Sequence, residues 1–84
     1  MQDTRRVQGR FMHEIAADIR EWETMPIDAI VLVGALSQAN WIDDIVNGMS
    51  CRVIAMRFLA LSKGWRGDKA KRVKNELKAL CGMR

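Results

Sequence analysis

Pro26-Ile27-Asp28-Ala29-Ile30-Val31-Leu32-Val33-Gly34-Ala35-Leu36 is the stretch on which the fold class turns. As a strand it would be the buried centre of a sheet, because Ile and Val favour that geometry. As a helix it puts Pro26 in a first turn, with Asp28 close to the positive helix end. Short apolar runs do not separate the two by period alone. A strand needs a partner, however, and no convincing second strand stands out along the chain. Residues 26–36 are therefore read as a helix and the fold class as all-α. The apolar run 29–36 is far shorter than the ~20 residues that cross a bilayer. It is expected to be a core element, and no membrane is expected as a partner.

Upstream, residues 4–24 read as an amphipathic helix. Val7, Phe11, Ile15, Ile19 and Trp22 recur at intervals of three and four, with Met12 and Ala16 beside them. Asp3 or Thr4 suits its N-cap, and Pro26 disfavours helix at Met25. Its charges run against the helix dipole. Arg5, Arg6 and Arg10 lie at the start, and Glu14, Asp18, Glu21 and Glu23 crowd the end. Either the basic C-terminal segment pairs with that acidic end, or the acids form a surface for a partner.

Downstream, Ser37-Gln38-Ala39-Asn40 reads as a bend. Asn40 is expected to cap a short helix over 41–47, stopped by Gly48. Residues 50–63 read as a helix capped by Ser50, with Arg57 on its apolar side and Asp43 or Asp44 expected to pair with it. Gly64-Trp65-Arg66-Gly67 is a turn. Asp68 then caps a helix over 69–81, with Gly82 as its stop. Its apolar stripe is Ala70, Val73, Leu77, Leu80 and Cys81. Lys71, Lys74 and Lys78 occupy the opposite face. The expected architecture is a single helical domain over residues 1–84, a bundle of four to five short helices.

The chain has 84 residues and a mass of 9.6 kDa, 49% hydrophobic and 29% charged. That length leaves no room for two domains or a large α/β enzyme fold. So small a chain buries only about 60–65% of its unfolded surface. Some apolar surface is thus expected at an interface, and a homodimer is one expectation. The net charge of +4 is unevenly placed. Residues 1–62 hold six bases against eight acids, −2, and residues 63–84 hold eight against two, +6. Every lysine lies in the second block. Such asymmetry suits nucleic acid or an acidic surface.

Residues 56–75 resemble the general helix-turn-helix pattern, without the signature of any one family. Gly64 takes the turn position and Ala60 the small residue at the helix crossing. Leu59, Trp65 and Val73 fall at core positions. Lys63, the small Ala70 and the extra Gly67-Asp68 depart from the pattern. The last helix would then enter a DNA groove by its N-terminal end. Arg66, Lys71, Arg72 and Asn75 would meet bases or phosphates, and Lys69, Lys74 and Lys78 would hold phosphates.

No phosphate loop or G-x-S-x-G occurs, and adjacent Asp43 and Asp44 diverge by ~100° on a helix. Catalysis is not expected. Cys51, Cys81 and His13 are too few for a four-ligand zinc site, so no metal or cofactor is expected. The cysteines read as buried free thiols in a reducing cytoplasm. The primary expectation is a small regulatory DNA-binding protein. The alternative is an accessory or inhibitor protein of the phage or mobile-element kind. It would grip a host protein complex through exposed apolar and charged helix faces, with Trp22, Trp41 and Trp65 as anchors and six methionines as adaptable contacts.

Overall fold

A computed structural model describes residues 9–82. Within them the chain is mostly helical. The elements are α1 (Met12–Ile19), α2 (Ile27–Leu36), β1 (Ile45–Val46), β2 (Met49–Ser50), α3 (Cys51–Leu61) and α4 (Asp68–Leu80). The expectations at Asp3, Thr4, Arg5, Arg6 and Val7 lie outside the described residues.

Helix α3 packs against α2 on one side and α4 on the other, and α1 touches both of those outer helices. Met12, Ile15 and Ile19 of α1 meet Val33 and Leu36 of α2, Ile54 and Phe58 of α3, and Val73 and Leu77 of α4 in one core. An aromatic cluster closes it. Trp22 and Trp65 stack at 5.8 Å between ring centres, and Phe58 presents an edge to each at 6.3 Å. The Trp22 indole N–H donates to Thr24 Oγ1 at 3.0 Å, so the buried ring leaves no polar atom unsatisfied.

Helix α1 is shorter than the periodicity predicts. Residues 9–11 are not helical, and Phe11 is the N-cap with extended backbone. The Phe11 N–H donates to Glu14 Oε1 at 2.8 Å. The Met12 and His13 N–H groups donate to the Asn40 and Ala39 carbonyls at 2.9 and 3.0 Å. A neighbouring loop thus satisfies the orphan donors of the first turn. At the other end the chain turns at Arg20, which lets Trp22 swing inward.

The apolar run is a helix, as read, over Ile27–Leu36; Pro26, expected in its first turn, is instead the N-cap with extended backbone. The short helix expected over 41–47 does not form. Ile45–Val46 pair antiparallel with Met49–Ser50 in a miniature hairpin. Asn47 and Gly48 sit at φ 54° and 80°. An Asn-Gly pair favours this two-residue turn because both central residues need positive φ. The cap assigned to Asn40 is replaced by Asp44. Its carboxylate accepts the Asn40 and Trp41 N–H groups at 2.9 and 3.0 Å.

Helix α3 is capped as expected, with Ser50 Oγ accepting the Val53 N–H at 3.3 Å. The predicted pairing of Arg57 with Asp43 or Asp44 is not found. Arg57 is exposed, and Asp43 accepts instead from Arg52 at 3.1 Å. Arg52 also donates to the Leu80 carbonyl at 3.2 Å, tying the start of α3 to the end of α4. Helix α4 begins one residue early. Gly67 is its N-cap, at a φ of 111° that only glycine adopts easily, and Asp68 lies in the first turn. Gly82 ends it with φ 75°.

The dipole anomaly of α1 is resolved by ion pairs to α4. Arg10 donates to Asp18 at 2.6 Å and to both oxygens of Glu76 at 2.6 and 3.1 Å. Lys69 donates to Glu21 at 2.7 Å and lies 3.8 Å from Asp18. The hydrogen bond from Arg10 holds the Asp18 carboxyl below its ordinary value of 3.8, against a smaller opposing push from burial. A depressed carboxyl contributes stability that is present above its unfolded pKa and lost as pH falls through the folded value. Arg10→Ala is expected to cost about 1–2 kcal/mol, trimmed by the solvent exposure of the pair. In acid titrations followed by circular dichroism, the variant should also lose less stability than the parent as pH falls below 3.8.

Candidate nucleic-acid interface

Helix α4 divides its charges between two sides because a helix turns 100° per residue. Ala70, Val73 and Leu77 are buried. Lys71, Lys74, Asn75 and Lys78 follow one another at helical spacing on one flank. Lys69, Arg72 and Glu76 fall on the other, toward α1. The first flank borders a groove of about 560 Å³. Trp65, Arg66, Gly67, Asp68, Lys71, Lys74, Asn75 and Lys78 line it.

Five of the seven residues picked from the sequence therefore converge: Arg66, Lys71, Lys74, Asn75 and Lys78. Lys69 does not join them, being held by Glu21 and Asp18. Arg72 is exposed, and its charge acts on Asp18 instead. Four bases stand in the groove against one acid, Asp68. Among the described residues, Arg66, Lys71, Lys74 and Lys78 make no ion pair within 4.0 Å.

Lys74 is the most constrained of them. Its amine donates to the Trp65 carbonyl at 2.6 Å, which fixes the α3–α4 connection against α4. Partial burial lowers its pKa, and the charges of Lys78 and Arg66 lower it further. Like charges are thus gathered at a cost that a bound anion would offset. The sequence did not reveal Trp65 as a contributor through its backbone. Its side chain is buried, while its carbonyl holds a site lysine.

No family model, curated protein or solved structure matches this chain.

The helix-pair geometry departs from the helix-turn-helix expectation in two ways. The α3–α4 connection spans residues 62–67, and Ala60 does not sit at the α3–α4 crossing. It is exposed and faces a second groove, between α2 and α3. Two of the three tryptophans proposed as partner anchors are also placed elsewhere. Trp22 and Trp65 are 8% and 7% exposed and belong to the core, and Trp41 is half-buried beside Phe11. The thiols of Cys51 and Cys81 are free and buried. Burial pushes Cys51 up to about 11, helped by Asp44, and raises Cys81 as well. Both stay protonated and unreactive at neutral pH.

Proposed function

We propose that this chain is a small non-enzymatic regulatory protein, a helical bundle that binds nucleic acid, DNA in the first instance, through the basic groove beside α4. The observation that supports this reading is the convergence of Arg66, Lys71, Lys74 and Lys78 on one groove, where none of them makes an ion pair among the described residues. Lysines at successive turns meet successive phosphates as point charges, and these contacts position without reading sequence. Asn75 and Arg66 have the chemistry to read adenine and guanine edges. Arg66 lies just ahead of the N-terminus of α4, the end a recognition helix presents to a major groove, and Asn75 lies about two turns into the helix on the same groove.

The reading does not depend on a strict helix-turn-helix. It needs a cationic face that tracks a backbone, and four bases supply one. The alternative, an accessory protein that grips a host complex, loses two of its aromatic anchors to the core. It keeps the half-buried Trp41 and the apolar outer face of α2.

A fluorescence-anisotropy titration with a mixed-sequence DNA duplex, and with RNA in parallel, tests the proposal. Micromolar or tighter affinity for the duplex at about 50 mM salt is expected. Absence of binding to both at that salt would overturn it.

A further inference from the structure

Helix α2 is apolar around nearly its whole circumference, yet it is buried on one side only. Ala29, Val33 and Leu36 enter the core. Ile27, Ile30 and Val31 stand 78%, 51% and 68% exposed on the opposite side. A helix apolar all round is ordinarily covered all round. Contiguous exposed apolar surface of this kind marks an interaction site.

Beside that face, a groove of about 460 Å³ runs between α2 and α3. Val31, Leu32, Ala60 and Leu61 form its apolar lining, with Asp28 on the α2 side and Arg57 on the α3 side. Neither Asp28 nor Arg57 is ion-paired among the described residues.

We propose that this face binds a second copy of the chain about a two-fold axis. The charge pattern selects the occupant. A rim with one acid and one base carries no net charge to attract an acidic or a basic partner. Under a two-fold axis, however, Asp28 of each copy meets Arg57 of the other, and both pairs form at once. Gly34 supports the same occupant. It lies on the outer side of α2 in line with Ile27 and Val31, and a Cβ there would meet nothing within 4 Å. Packing within the chain does not require a glycine at that point, and the missing side chain leaves room for the backbone of a second helix to approach closely. The α2–α3 face shares no lining residue with the basic groove, so the dimer does not rest on nucleic-acid binding.

Sedimentation equilibrium of the full chain without nucleic acid tests this. The mass should rise from monomer to dimer over about 1–100 µM. Val31→Glu should leave a monomer throughout. That side chain is exposed, so its thermal melt at monomer concentration should match the parent. Asp28→Arg and Arg57→Asp should each weaken the dimer about 100-fold, and the double variant D28R/R57D should recover it to within about 10-fold. A parent chain that stays monomeric to about 100 µM overturns the proposal. So does a dimer that survives Val31→Glu, or one that the double reversal fails to restore. Either of these last two results would put the interface elsewhere or give the face to a different protein.

Discussion

Phe58→Ala is expected to unfold this protein or bring it to the edge of unfolding. Phe58 is fully buried in α3 and is the largest side chain sealed in the core. It contacts the rings of both Trp22 and Trp65, which come from the segments following α1 and α3. Its removal loses the transfer free energy of a benzyl group and leaves a cavity among rings that cannot easily collapse. Such substitutions cost about 3–5 kcal/mol, and lost edge-to-face pairs add about 0.5–1.5 kcal/mol each. Total stability for a chain of this size is on the order of 4–13 kcal/mol. Each kcal/mol is worth about 4–8 °C in melting temperature. A drop of at least about 15 °C, seen together in circular dichroism and tryptophan fluorescence, is therefore expected. A shift of only a few degrees would mean that the aromatic cluster does not organise the core.

Lys71→Gln combined with Lys78→Gln is expected to have the largest effect on binding. Both side chains are exposed, and glutamine suits a helix about as well as lysine, so the fold should be unchanged. Each phosphate contact releases close to one counterion, with a salt exponent of about 0.9 per contact. Losing two contacts should lower duplex affinity by about 200-fold at 50 mM salt and about 20-fold at 200 mM. Lys69→Gln is the matched control. It removes the same charge from the same helix, but on the flank paired with Glu21 and Asp18. It should weaken binding far less. Equal losses in the two variants would show that net charge, not the groove, governs binding.

Much of this arrangement was legible in the sequence because two elements carry strong local signals, one a periodic stripe and the other a cap. The α4 stripe of Ala70, Val73 and Leu77 is buried as its spacing required, and Gly82 ends the helix. Ser50 marked the start of α3 through a cap that depends on only three residues. The hairpin was missed because its strands are two residues long, too short for alternation to show. Asn47-Gly48 was its only local signal, and Gly48 serves equally well as a helix stop. The pairing of Arg57 failed for a different reason. Its partner depends on where residues 41–47 fold, and once they form a hairpin Asp43 meets Arg52. The division of the α4 cations was half-legible. Helical spacing separates Lys71, Lys74 and Lys78 from Lys69 and Arg72. Which flank stays open depends on α1, whose acids claim Lys69.

The salt dependence of duplex affinity tests the central claim most directly. Four groove cations on four phosphates predict a log–log slope of about −3.6, or a roughly 150-fold loss of affinity between 50 and 200 mM salt. With Lys71 and Lys78 replaced by glutamine, the slope should fall to about −1.8. A parent slope near zero, or a slope unchanged by the double replacement, would contradict the assignment of the α4 groove as the nucleic-acid interface.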